Sequence, residues 1–247
     1  MDNNDLLYLS GNDIPFIEAQ IIIHQPTIKE VAYIGEEAFF TGCELINFSK
    51  NNLSEEDKNS LENQTNFDIL IAILRERNAV MQKNRNCVEM VLALIFPEYS
   101  IEITEKEILF KKEEEEEAHS VNNENFEQFK KIFNKMFNFE KNIEEEYNPS
   151  GDMAQRIVEK LNKRHQILSA KKGAERKKID VLARYLSILA VGQHKDLNSL
   201  LQYTVYQLYD EFERYRLKLD YDIYFKASLA GAKDLKEVED WMKDIHS

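Results

Sequence analysis

Turn-forming residues are scarce in this chain: seven Gly and four Pro serve 247 residues. Sandwiches, barrels and loop-rich scaffolds need a turn every few residues, so this poverty argues against them. A chain with few breakers folds into longer elements, and charged residues at 31% suit helices with one wet face. Hydrophobic residues at 43% supply enough apolar surface for one large or two modest cores. The expected class is mainly α-helical (α+β).

Charge divides the chain unevenly. Residues 1–147 carry 14 bases and 30 acids, whereas 148–247 carry 18 bases and 15 acids. The change falls where the acidic run 144–146 meets the turn-forming stretch around Pro149, Ser150 and Gly151. This predicts an acidic N-terminal region, 1–147, built from helices, a β-hairpin and a covering helix, and a helical C-terminal region, 148–247.

Local signals place the N-terminal elements. Thr27 followed three residues later by Glu30 is a capping box, so a helix starts there and stops near Gly35. A second helix is expected over 36–48, with Phe39, Phe40, Leu45 and Phe48 as apolar contacts, and Ser54 opens an acidic helix start. Helices are predicted over 67–74 and 80–96, the second ended by Pro97. The period then changes to two: Tyr99, Ile101 and Ile103, then Ile108 and Phe110, predict one small β-hairpin near 99–111. The acidic run 113–117 reads as a solvated loop. After it, Phe126, Phe129, Ile132, Phe133, Met136 and Phe137 repeat at helical spacing, with Asn125 as the expected cap. A lone hairpin is marginal, so this helix is expected to cover its apolar face.

The C-terminal region is expected to be helical nearly throughout. Met153, Ile157 and Leu161 begin one amphipathic helix, and Val181, Leu182, Tyr185, Leu186 and Leu189 form a more apolar one that ends near Gly192. Asp196 or Asn198 caps a short helix. Thr204 and Gln207 form a second capping box, opening a helix through Leu208, Phe212 and Leu219. A last short helix over 235–245 carries the only tryptophan, Trp241.

Several function classes lack their signature. The chain contains no phosphate-binding glycine loop, no nucleophile elbow and no H-E-x-x-H pair. Its five histidines are scattered, and His194 with Asp196 is better explained by helix capping than by a metal. The acidic runs lack the spaced carboxylates of a calcium loop. No catalytic residue, metal ligand or cofactor is expected. No apolar run approaches the roughly 20 residues of a membrane helix. The polar, acidic start Met1-Asp-Asn-Asn-Asp5 is unlike a signal peptide. Cys43 and Cys87 are too few and too far apart for a disulfide framework.

Two features invite partners. The basic face 156–178 combines Arg156, Lys160, Lys163, Arg164, Lys171, Lys172, Arg176, Lys177 and Lys178 with only two Glu. It could meet phosphates or an acidic protein surface, yet it has no aromatic platform for bases, and the acidic chain as a whole disfavours nucleic acid. Six tyrosines, Tyr203, Tyr206, Tyr209, Tyr215, Tyr221 and Tyr224, fall within 22 residues. Tyrosine gives large contact area with a polar tip, which suits interfaces, although lining the helical core is the commoner use. Tyr206, Tyr209 and Tyr215, with Leu235, Val238, Trp241 and Met242 of the terminal helix, are the candidate partner-binding residues.

Three stretches carry a family resemblance: QPTIKEVAYIGEEAFF at 25–40, TVYQLYDEFERY at 204–215 and ASLAGAKDLKEVEDWMKDI at 227–245. Their order resembles proteins encoded among the tail genes of bacteriophages of Gram-positive hosts, often called tail assembly chaperones. That resemblance implies a non-enzymatic factor that keeps a tape-measure or tube protein soluble in the host cytoplasm until the tail forms. The alternatives are a virion part, such as a baseplate or tail-completion protein, and a nucleic-acid-associated factor using the basic face.

Overall fold

The computed structural model describes residues 5–50, 63–75, 79–113, 117–139, 181–231 and 238–243. The expected helix starting at Ser54, the amphipathic helix from Met153, Leu235 and all nine residues of the basic face lie outside these residues, as does the proposed boundary at 147/148.

The fold is α+β and mainly helical, with two small antiparallel sheets. In chain order its elements are α1 (Asp5–Ser10), β1 (Ile14–Phe16), β2 (Ile21–Ile23), α2 (Ile28–Ile34), α3 (Glu36–Ile46), α4 (Asn66–Arg75), α5 (Ala79–Ile95), β3 (Ser100–Ile103), β4 (Glu107–Lys111), β5 (His119–Asn122), α6 (Phe126–Met136), α7 (Val181–Gln193), α8 (Leu197–Leu201) and α9 (Val205–Leu229).

Three corrections to the sequence-based expectations follow. The hairpin at 99–111 is two thirds of a three-stranded sheet ordered β3-β4-β5, with Phe110 paired to both Ile101 and His119. A second, two-stranded sheet pairs Ile14 with Ile23 and Phe16 with Ile21. Its strands are joined by a single 3-10 turn at Ile17–Ala19, and Gln20 closes that turn in the left-handed conformation at φ 54°. The third concerns the C-terminus: residues 238–243 form a turn rather than part of a helix. There the Asp240 carboxylate accepts from the Met242 amide at 2.9 Å, an alternative that aspartate offers the backbone in place of a helical bond.

The helix starts are local chemistry. Both expected capping boxes form, at Thr27/Glu30 and Thr204/Gln207. A third, unanticipated, opens α4: the Thr65 amide donates to the Asp68 carboxylate at 2.8 Å and the Asp68 amide to the Thr65 hydroxyl at 3.0 Å. Asp196 caps α8 through the Ser199 amide. Asn125 precedes α6 as expected but makes no capping bond. Its side chain ties back to strand β5 instead, accepting from the Asn122 amide and donating to the Ser120 carbonyl.

Phenylalanine dominates the core. Phe16, Phe39, Phe67, Phe96, Phe110, Phe126, Phe133 and Phe137 are fully buried. Phe96, at the end of α5, joins layers by packing against Phe110 of the sheet at 4.4 Å and Phe129 of α6 at 6.1 Å. In this way α6 covers the sheet.

The C-terminal helices enter the same core. Leu182, Leu186, Leu189, Leu200, Val205, Tyr206 and Leu208 are buried with the N-terminal residues. Polar contacts fix this docking. The Leu182 amide donates to Glu36, Gln207 donates to the Leu9 carbonyl, and the Ile28 amide donates to the Tyr203 carbonyl.

Candidate partner-binding surface

Helix α9 is the scaffold of the candidate surface. Its capping box fixes the N-terminal end, and residues 205, 208 and 212 turn one apolar side onto the core. The tyrosines divide along its length.

Those of the first half are structural. Tyr203 accepts from the Lys195 ammonium at 3.0 Å, and Lys195 also pairs with Glu211 at 2.9 Å. Burial works against the Lys195 charge, but the bonds to Tyr203 and Glu211 outweigh it and raise its pKa. Tyr206, one of the candidate residues, is 3% exposed and packs on Tyr8 at 5.4 Å, so it belongs to the core. Tyr209 meets Tyr185 edge-on at 5.5 Å. Burial, then the nearby Tyr185 and Glu36, raise its pKa well above the usual phenol range. Tyr215 is half-buried, its hydroxyl over Gly192 of α7.

Beyond Tyr215, Tyr221 and Phe225 face outward, while Tyr224 is half-buried. Tyr221 and Phe225 stack in parallel at 6.4 Å, and Phe225 is 52% exposed. Both follow Arg214 at helical spacing and share its side of α9. On that side Arg214 holds the C-terminal turn: its guanidinium donates to the Trp241 carbonyl at 3.1 Å and to the Lys243 carbonyl at 2.5 Å. Val238 and Trp241 are half-buried there, and Met242 is 69% exposed. The structure therefore places Val238, Trp241 and Met242 at or near the surface, Tyr209 and Tyr215 half-buried against the core, and Tyr206 within it.

Sequence reasoning missed Arg214, Tyr221 and Phe225 as members of this face. Their spacing from one another was visible; the point at which α9 leaves the body was not.

Among the described residues, no group of three or more His, Cys, Asp or Glu side chains could hold a metal ion. A shallow depression beside β5 is lined by Glu18, Gln20, Glu117, His119 and Glu124, which do not converge on a centre. His24 lies between Asp13 at 2.9 Å and Glu30 at 3.4 Å, and Glu30 is committed to capping α2. Cys43 and Cys87 are both buried thiols, and burial, with Glu44 adding, pushes the Cys43 pKa up, away from the reactive thiolate. No described helix is long and apolar enough to cross a membrane.

Fold and surface together define a mainly helical α+β protein whose C-terminal part offers an apolar helical face. Residues 173–246 match the family described as the YomV second domain, a phage-associated family. The match spans α7, α8, α9 and the turn held by Arg214, so this part of the chain is similar to a phage domain. No curated protein and no solved structure matches the chain.

Proposed function

We propose that this protein is a non-enzymatic tail assembly factor of a bacteriophage, binding a tape-measure or tube protein in the host cytoplasm before assembly. The observation that carries this reading is the coincidence of the phage-associated match with the exposed apolar side chains Tyr221, Phe225 and Met242, on the side of α9 where Arg214 holds the C-terminal turn. Exposed aromatic and methionine side chains are suited to gripping apolar helical segments of a client, and methionine adapts to varied shapes. The strong acidity of the chain, formally −13, supports the role, because a charged complex resists aggregation while the client waits. The grip must also let go, which suits a contact of modest area.

The test is an affinity pull-down from infected cells, set beside the protein inventory of purified particles. Capture of a tape-measure or tube protein, together with absence from particles, is the expected result. Replacing Trp241 and Met242 by alanine should weaken that capture while leaving the thermal melt unchanged. Stoichiometric presence in particles would make the protein a virion part instead.

A further inference from the structure

Helix α9 is longer than the body that supports it. At about 1.5 Å per residue, its 25 residues span roughly 37 Å against roughly 20 Å for the 13 of α7. Tyr185 of α7 stacks on Phe212 at 3.7 Å, and Gly192, next to the last residue of α7, lies beneath Tyr215. Past Tyr215 the one buried residue of α9 is Leu217, 3% exposed, on the side of the helix away from Leu219 and Ile223.

The apolar stripe does not stop there. Val205, Leu208 and Phe212 face the core, and Leu219 and Ile223 continue the same side of the helix at helical spacing. Leu208 is fully buried, whereas Leu219 is 41% and Ile223 65% exposed. This side is opposite the one that carries Arg214 and the C-terminal turn. It is therefore separate from the face assigned to the client, and the inference does not rest on that assignment.

Charge identifies the occupant. Ion pairs flank the stripe on both sides: Lys218 with Asp222 at 2.8 Å, and Arg216 with Asp220 at 4.0 Å. The Lys218–Asp222 pair runs cation first and anion second along the chain, whereas on the other flank Arg216 lies between Glu213 at 2.6 Å and Asp220. When two copies of such a helix lie antiparallel about a two-fold axis, like flanks meet in reversed order, so the cations of one copy approach the anions of the other. The stripe also offers a locally balanced surface on a chain of net charge −13, most of whose surface would repel a second copy.

We infer that the protein self-associates as a two-fold dimer through antiparallel packing of the overhanging half of α9, with Leu219 and Ile223 at its seam and Lys218 and Asp222 setting its direction.

Sedimentation equilibrium of the full-length protein tests this. The expected result is a reversible monomer–dimer equilibrium that Leu219→Glu with Ile223→Glu shifts to monomer at every concentration. Both side chains are exposed, so the circular dichroism melt of this variant should match that of the wild type and exclude misfolding. A mixing experiment isolates the charge argument. Lys218→Asp makes one flank wholly acidic and Asp222→Lys makes it wholly basic. Each variant alone should dimerise more weakly than wild type, and an equimolar mixture should recover association as a heterodimer. A wild type that stays monomeric throughout, including one whose α9 stripe is covered by another segment of its own chain, overturns the inference. So does a dimer indifferent to Leu219 and Ile223, and so does a mixture no stronger than its components.

Discussion

Thr27 and Thr204 face each other across an antiparallel bridge, so the two residues that cap α2 and α9 also join the N-terminal and C-terminal parts of the protein. Beside them the Ile28 amide donates to the Tyr203 carbonyl at 2.8 Å. Each threonine satisfies an amide of its own helix, and together they align the two helix starts. Thr27→Ala and Thr204→Ala should each cost about 1 kcal/mol in urea unfolding, the usual worth of an N-cap. Because the caps are in contact, the double variant should depart from the sum by about 0.5 kcal/mol or more. Strict additivity would mean that the caps act independently and that the bridge couples nothing.

A second close approach lies between α3 and α5. A methyl group on Gly42 would fall 2.4 Å from the Cys87 carbonyl oxygen and 2.7 Å from Val91. The obstacle includes main chain, which cannot rotate aside, so the two helices would have to part. Gly42→Ala should destabilise the protein by roughly 1–3 kcal/mol, the usual cost of overpacking, despite the better helix propensity of alanine. That corresponds to a fall in Tm of several degrees for a chain of this size. A melt equal to or above that of the wild type would show that the gap between these helices closes more freely than the geometry implies.

These two contacts separate what was legible in the sequence from what was not. A capping box is a pattern of four consecutive residues, so Thr27 and Thr204 announced their helices. Their meeting depends on the docking of α9, which no local pattern encodes. The strands missed at residues 14–23 and 119–122 are short, and the sequence leading into β2 (17–20) and into β5 (112–118) contains no Gly, Pro, Asn, Asp or Ser to advertise a turn. Gln20, not Gly, takes the left-handed position, and β5 buries only Val121. Of the candidate surface, the density of tyrosines was plain. Their division into core and surface was not, because it is set by where α7 ends beneath Tyr215. The C-terminal helix failed for a related reason: Arg214 claims two of the carbonyls of the terminal segment, and that contact is tertiary.

Acid should loosen the start of α2. Burial opposes the charge on Glu30, but its bonds from the Thr27 amide and hydroxyl outweigh that, with His24 adding, and hold its pKa below the ordinary value of 4.5. A carboxylate with a depressed pKa in the folded state adds stability that is fully present above the unfolded value and is lost as pH falls through the folded one. The wild type should therefore exceed Glu30→Gln in Tm at neutral pH, and the difference should shrink as pH falls below about 4.5. A constant gap down to pH 2 would assign the effect to shape and hydrogen bonding, not to charge.

Arg214 should govern the order of the C-terminal turn without governing the fold. Its guanidinium donates to the carbonyls of both Trp241 and Lys243, two acceptors that belong to no strand or helix. Elsewhere among the described contacts, the turn is held by its own short-range bonds, such as that from the Met242 amide to Asp240 and the pair between Lys243 and Glu239. Removing these two bonds frees a local segment, and local opening is measured by proteolysis sooner than by a global melt. In Arg214→Ala, chymotryptic cleavage after Trp241 should accelerate several-fold while the Tm stays within a few degrees of the wild type. Arg214→Lys should fall between the two, since an ammonium retains the charge and its donors but sits on a side chain of different shape from the one that brings Nη1 to both carbonyls. Cleavage at the wild-type rate in Arg214→Ala would show that Trp241 is held by other contacts, and the client face would then have to be sought without it.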